Sequence, residues 1–464
     1  MTGSAPAGGS ATHAGDTRMV TGWGRCTRSV AHMVQVTSVE DVSHAVTNAG
    51  VRGVVARGAG RSYGDASQNG GGSLLDLSAL NQARLSSDGA LVTVGAGLRL
   101  DDLMRWLLPQ GLMVPVSPGT GRVTIGGMIA ADVHGKNHHV DGSFGSHVAS
   151  LDLIDGRGEQ RRLNPEQPEF WATVGGMGLT GVITSVAFRP LRVETAYAVV
   201  NVERFARLQA LMDAMREQDR RRRYTVAWLD NVGTGGPVGR GILATGDNAA
   251  IGDLDPSRMG DPLRLSQDRA LTAPRTVPSG LLNRASVGAF NAAWFAWEGR
   301  PRTGEIQHLT RFFHPLDRVE RWNHIYGRKG FIQYQFVVPD NAGSVVEEVL
   351  AALHRAGAPS FLTVLKRFGE GNPGPLSFPM PGWTLALDLP AAGSGLKDVL
   401  PALDRMVVEA GGRFYLAKDA HASPSSFAKG YPRLDEWRRC RDTLDPERRF
   451  VSDLARRLEL VPPG

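Results

Sequence analysis

The sequence predicts an α+β chain of two domains. Its 464 residues exceed what a single hydrophobic core usually fills. Glycine-rich loops are confined to the stretch from about residue 20 to 195, where strand-like and helix-like runs alternate. From about Ala196 those loops fade and longer amphipathic runs take over. A composition of 42% hydrophobic and 21% charged residues is that of an ordinary globular protein.

In chain order, residues 1–19 are rich in Ala, Gly, Ser and Thr with no apolar core, so they read as a disordered tail and not as a signal peptide. An apolar strand at 51–55 leads into the run Ala56-Arg57-Gly58-Ala59-Gly60-Arg61-Ser62-Tyr63-Gly64-Asp65. A strand at 91–94 precedes a short helix, because Leu100, Leu103, Met104, Leu107 and Leu108 recur at helical spacing. Asp101 and Asp102 start it and Gly111 stands just past its end. Pro118-Gly119-Thr120 and Gly126-Gly127 make a second glycine loop, and Gly175-Gly176-Met177-Gly178-Leu179-Thr180-Gly181 a third.

In the second domain, Phe205, Leu208, Met212 and Met215 mark one helix face. Val346, Val349, Leu350 and Leu353 mark another, ended by Gly357. Strands are expected at 331–338, 361–366 and 383–389. From Arg413 the chain returns to strand, loop and helix. Residues 277–297 combine turn residues with Leu281, Leu282, Phe290, Trp294, Phe295 and Trp297. That pattern suits packed core, the simpler account of the tryptophans, or a mobile lid meeting a lipid tail.

A glycine lets backbone lie flat against a charged group, and successive exposed N–H groups make a nest for phosphate oxygens. One such loop would pass as a surface turn; three together point to a dinucleotide site. The arrangement is not the Rossmann type, because the first glycines run into Ser-Tyr-Gly-Asp and cannot open a helix. No GxxxxGK[ST] occurs either. Two distant cysteines, Cys26 and Cys440, build neither a disulfide framework nor a zinc site. His134, His138 and His139 carry no patterned carboxylate partner, and Gly135 and Asn137 disfavour a shared helix face, so no metal is expected. No apolar run is long enough to cross a bilayer. The net charge of +6 owes much to Arg220-Arg221-Arg222-Arg223 and Arg438-Arg439. Without a recognised module this does not indicate nucleic acid, and it suits an anionic membrane or a phosphorylated substrate.

Strand alternation supplies candidate site residues. Gln333 and Gln335 share one face of the 331–338 strand, while Ile332, Tyr334, Phe336 and Val338 share the other. The amides either face solvent or line a polar cavity for a sugar, and spacing alone weights the two equally. Thr384 and Ala386 likewise share a face and leave room for a ligand. Lys418, at the end of Phe414-Tyr415-Leu416-Ala417, is a solvated charge or a group acting on a reacting alcohol.

Arg57-Gly58-Ala59-Gly60-Arg61-Ser62, followed by Pro-Gly-Thr and a Gly-Gly turn, resembles the flavoenzymes of the vanillyl-alcohol oxidase type. Five blocks tighten the match to the decaprenylphosphoryl-β-D-ribose 2-oxidase family: Gly60 to Asp65, Asp132-Val133-His134-Gly135-Lys136-Asn137-His138-His139, Phe331 to Phe336, Leu376-Ser377-Phe378-Pro379 and Ala417-Lys418-Asp419. The similarity runs from about Gly22 to Leu460 and includes the closing Asp453 to Leu458.

The resemblance implies a discontinuous FAD-binding domain, 20–195 with 413–464, around an α+β substrate domain, 196–412, with an antiparallel sheet. It places FAD against residues 56 to 66 (Ala56, Arg57, Gly58, Ala59, Gly60, Arg61, Ser62, Tyr63, Gly64, Asp65 and Ala66), Gly119, Thr124, Ile125, Gly126, Gly127, His134, Gly135, Lys136, Asn137, Ile183 and Tyr415. It makes Lys418, His134 and Tyr63 the catalytic set, and Gln333, Gln335, Lys366, Thr384, Ala386 and Lys418 the substrate contacts. Arg61 stands where many relatives carry a flavin-linked histidine, so FAD is expected to be non-covalent. Ala386, Thr384, Phe313 and His324 depart from residues that are often cysteine, asparagine, tyrosine and arginine.

The implied activity is oxidation of the 2-hydroxyl of a polyprenyl-phosphate-linked ribofuranose to a ketone, the first half of an epimerisation to the arabinose donor for cell-wall arabinan. A separate NAD(P)H-dependent reductase would complete it. The expected location is peripheral to a membrane, on its cytoplasmic side or in the cell envelope. An alditol or sugar-lactone oxidase on the same fold is the nearest alternative; a flavin-binding sensor or membrane adaptor without turnover is an alternative of another class.

Overall fold

The computed structural model describes residues 16–233, 239–265, 271–274, 277–278, 280–392 and 395–461. The expected tail therefore lies outside the described residues up to residue 15. Residues 16–19, expected within it, instead belong to the strand Asp16–Thr21, which pairs antiparallel with Arg28–Gln35. Strands Ser73–Asp76 and Val54–Arg57 add in parallel to complete a four-stranded sheet. The strand before the first glycine loop starts at Val54, not at residue 51. Gly53 adopts a left-handed turn (φ +71°), and a side chain there would meet the Arg449 carbonyl.

A second, five-stranded antiparallel sheet runs Ala83–Leu85, Val92–Gly95, Val182–Phe188, Val148–Ile154 and Gln160–Leu163. The Leu100–Leu107 helix forms as expected and buries Leu100, Leu103, Met104 and Leu107 in one core. The short helix Ile125–Ala130 also sinks Ile125, Met128 and Ile129 into that core, which fixes the second glycine loop at its N-terminus.

Residues between Tyr197 and Phe414 build an eight-stranded antiparallel sheet. Its order is Arg302–His308, Tyr197–Phe205, Gly241–Asn248, Tyr224–Leu229, Thr363–Phe368, Gly382–Pro390, Phe331–Pro339 and Arg413–Phe414. Helices Leu208–Gln218, Ser344–Arg355 and Leu396–Glu409 place their apolar faces in a second core with this sheet. Phe205 ends a strand and takes no part in the helix, which starts at Leu208. The chain leaves this sheet only after Phe414. It then packs helix Leu434–Leu444 against Pro168–Thr173 and bridges Phe450 to Val54 of the first sheet.

The 277–297 segment contains the helix Arg284–Trp297, while residues 275, 276 and 279 lie outside the described set. The helix is anchored along one side by Val287 and by Asn291, whose amide donates to Asp230 and the Ser360 carbonyl. Its tryptophans are not core: Trp294 is 38% exposed and Trp297 68%.

Candidate active site

The first two glycine loops meet. A Cβ on Gly58 would lie 2.2 Å from Thr124 Oγ1, the atom that caps the Ile125–Ala130 helix by accepting from the Gly127 N–H. Gly60 turns at φ +63°. From Gly58 to Ser62 no backbone N–H finds an acceptor among the described residues, and Gly58, Ala59, Gly119 and Gly127 are exposed. A run of unengaged amides beside a helix start is the donor set that phosphate oxygens require, so these loops fit a dinucleotide. The loop is held from behind. Ala56 and Arg57 sit in the sheet, and the Arg57 guanidinium donates to the carbonyls of Ser67 (2.7 Å) and Thr21 (2.8 Å). The Trp23 N–H donates to Ser62, and the Tyr63 N–H to Ala417. Arg61 stacks over Trp23 at 3.9 Å. The third glycine cluster wraps the other end of the same helix, with the N–H groups of Gly175 and Met177 donating to Ile129 and Ala130. Ile183 follows on the adjoining strand.

The turn after that helix delivers His134. Asp132 takes a left-handed conformation (φ +39°), and its buried carboxylate accepts from Asn372 and Ser377, which locks the turn. His134 is 7% exposed, against the rings of Phe368, Phe378 and Tyr415. The Tyr415 hydroxyl donates to Ala131. Gly135 has no room for a side chain beside Asn137, whose Oδ1 is buried without a partner while its amide donates to Pro115. The three histidines do not assemble a metal site: only His138 and His139 lie on a helix, His138–Asp141, and the described residues contain no metal-binding cluster.

The sheet closes the site from the opposite side. Gln333 and Gln335 are buried, so they do not lie on a solvated sheet face. Lys366 donates to His134 Nδ1 at 3.3 Å, and the Gln335 carboxamide lies 3.2 Å from His134 Nε2 and 3.3 Å from the Thr384 hydroxyl. Burial holds the imidazole neutral, well below its ordinary pKa. The Gln335 NH2 group is the end that faces both His134 Nε2 and Thr384, and it donates to the Thr384 hydroxyl. Ala386 stands opposite Gln335 in the register.

Lys418, half-buried, places its Nζ 3.8 Å from the centre of the Tyr63 ring. Burial lowers its pKa to about 7, against the attraction of Asp388, whose own pKa burial raises. Gln333 donates to Asp388. Burial likewise lowers Lys366 to about 8 and Lys136 to about 7, the latter donating to the Phe312 carbonyl. Lys366 thus acts electrostatically on both Lys136 and Lys418, and Asp388 is the carboxylate that attracts Lys418.

Two residues were missed from sequence. Asp388 continues the alternation of Thr384 and Ala386 by one more step, so extending that pattern would have found it. Arg457 shows no such signal: its guanidinium grips both oxygens of Asp65 (2.7 and 2.8 Å) and one of Asp419 (2.8 Å). It ties the first glycine loop to the Lys418 turn. Of the departures, Phe313 is buried on Tyr224 (5.0 Å) and His324 lies in the short turn Trp322–Tyr326.

Comparison with known proteins agrees with this geometry. Residues 30–164 match an FAD binding domain, and 396–458 match the model of D-arabinono-1,4-lactone oxidase. The chain is 43% identical to the decaprenylphosphoryl-β-D-ribose oxidase of Mycolicibacterium smegmatis, over 96% of this chain and 98% of that protein. It is 27% identical to the alditol oxidase of a Streptomyces species, over 39% of this chain and 43% of that protein. It is 30% identical to the D-arabinono-1,4-lactone oxidase of Eremothecium gossypii, over 26% and 23%. The chain belongs to the decaprenylphosphoryl-β-D-ribose oxidase family of FAD-binding oxidoreductases.

Proposed function

We propose that this chain oxidises the 2-hydroxyl of a ribofuranose carried on a polyprenyl phosphate to the ketone. The observation that carries the reading is the set of lysines beside buried amides: Lys366 shares His134 with Gln335, and Lys418 is drawn to Asp388, to which Gln333 donates. Carboxamides suit sugar hydroxyls, and the buried Lys366 ammonium suits a phosphate. A free alditol or lactone would leave that positive charge unmatched.

FAD, when bound, supplies the hydride acceptor. The amides of residues 58–62 and the Ile125–Ala130 helix start would hold its phosphates; Arg61 has no nucleophilic ring nitrogen, so the flavin is released on denaturation. Lys418, with its pKa brought to about 7, accepts the proton of the reacting hydroxyl, and Tyr63 beneath it keeps the amine in place. His134, neutral and fixed by Lys366 and Gln335, orients the sugar. In this reading the flavin half is discontinuous, 20–195 with 413–464, and holds both the glycine loops and the Lys418 turn. A hydride-donating reductase must act on the ketone next if the carbon is to be inverted.

A long prenyl chain stays in the bilayer, at about 0.8 kcal/mol per exposed CH₂. No described helix is long and apolar enough to cross a membrane. Contact is therefore peripheral, through the exposed Leu281, Phe290, Trp294 and Trp297. Anaerobic flavin bleaching across prenyl-phospho-sugars and free polyols tests the activity. Bleaching by the former alone is expected; bleaching by free polyols alone would favour an alditol oxidase, and none at all a non-catalytic flavin protein.

A further inference from the structure

A second concavity lies on the other side of the Phe331–Pro339 strand. Ile332 faces it, whereas the next residue, Gln333, faces the active site. This cleft, of about 1060 Å³, runs between the Leu396–Glu409 helix and the Arg25–Arg28 and Arg328–Lys329 segments. Its floor is apolar, with Ile332, Leu396, Leu400 and Val408. Seven cationic side chains line it (Arg25, Arg28, Arg328, Lys329, Lys397, Arg405 and Lys429) against the carboxylates Asp404 and Glu409. Asp404 is already engaged with His421. None of the seven forms an ion pair among the described residues, and all but Arg25 are exposed.

Two neighbours identify the occupant. Gly395, at the head of the Leu396–Glu409 helix, backs onto the Ala356 carbonyl. Arg284 donates to His354 at 3.0 Å, and Phe290 packs on Phe361. The cleft and the exposed aromatic helix therefore flank the same end of the Ser344–Arg355 helix. We propose that the cleft is a headgroup site for an anionic membrane lipid, its phosphate on the cationic rim and the first methylenes of its chains on the apolar floor. Unpaired cations over apolar surface complement an anionic amphiphile in both respects, and each basic residue near such a surface adds to attraction. The inference rests on the membrane contact proposed above and gives it lipid selectivity.

Flotation of the FAD-loaded protein with vesicles tests it. Phosphatidylcholine vesicles are compared with vesicles containing phosphatidylglycerol, and wild type with the exposed-site double variant Lys397→Gln/Arg405→Gln. Wild type is expected to bind the anionic vesicles, and the variant about thirtyfold more weakly, from roughly 1 kcal/mol per cation removed. A control of equal charge change, Arg220→Gln/Arg221→Gln, is expected to bind like wild type. Equal weakening in the control would mean attraction by net charge and would overturn the site. Wild type binding neither vesicle would sink the membrane contact itself; wild type and variant binding equally would sink the cleft alone. Calorimetry with glycerol phosphate is the last arm: binding that the variant loses would assign the cleft to a soluble phosphate and overturn the lipid.

Discussion

The two walls of the active site recognise with different atoms. The glycine-loop wall offers backbone N–H groups from residues 58–62, held by strand and helix ends. The sheet wall offers side chains, chiefly Lys366, Lys418, Gln335 and Asp388, projecting from strands and one tight turn. A backbone wall tolerates most side-chain changes yet fails when a Cβ intrudes. A side-chain wall is sensitive to the chemistry of each residue, because burial sets each proton affinity.

The largest expected effect tests the sheet wall. Lys418→Met removes the proposed proton acceptor and should slow anaerobic flavin reduction about 10²–10⁴-fold. The flavin content of the purified variant should stay that of wild type, since the loop wall is untouched. Loss of flavin together with rate would show that the walls are not separable.

Gly58→Val tests the loop wall. Its Cβ would stand 2.2 Å from Thr124 Oγ1, so either the loop or the helix cap must move. Overpacking of this kind costs about 1–3 kcal/mol, which predicts roughly ten- to hundredfold weaker FAD binding by titration of the apoprotein. Full flavin occupancy with slow turnover would contradict the division drawn here.

Arg457 joins the walls, so its loss should touch both. Arg457→Met leaves Asp65 and Asp419 without their shared cation. With Arg457 a quarter exposed, the cost is put at about 2 kcal/mol, below that of a fully buried pair. The melting temperature should fall, the reduction rate should fall with it, and Arg457→Lys should recover part of both. A lower melting temperature with an unchanged rate would reduce Arg457 to a scaffold role.

These walls differed in how far the sequence disclosed them. Glycine spacing marks the loop wall because most backbone requirements are local: Gly60 and Gly127 stand within a few residues of the turn and the cap they serve, although Gly58 meets the distant Thr124. Strand periodicity placed Gln333, Gln335, Thr384 and Ala386 on their faces, but not which faces would meet. That Lys366 reaches His134 is a contact between residues 232 apart, and no local pattern encodes it. Arg457 was hidden for the same reason, lying 392 residues from Asp65. The misplaced strand start at residue 51 falls where the left-handed turn at Gly53 decided the element.

The coupling of Asp388 to Lys418 gives a pH signature. In its proposed role Lys418 acts as a base when neutral, so the reduction rate should rise with pH through an apparent pKa near 7. Negative charge on Asp388 favours the ammonium. Asp388→Asn therefore removes an influence that raises the lysine pKa, and the rising limb should move to lower pH. A shift to higher pH would mean that another group titrates there.

The smallest effect belongs to Gln335. Its NH2 group is held by His134 and Thr384, which leaves the carbonyl oxygen as a neutral acceptor for the proposed sugar. Gln335→Ala removes one such hydrogen bond, worth about 0.5–1.5 kcal/mol, so KM should rise roughly two- to twelvefold with kcat nearly kept. Thr384→Val leaves the carboxamide in place but removes a hydroxyl that helps to fix it, and should raise KM by less. If instead kcat fell in Gln335→Ala while KM held, the carboxamide would be acting through His134 on the reacting centre. The sheet wall would then position its catalytic groups by the same side chains that bind the sugar.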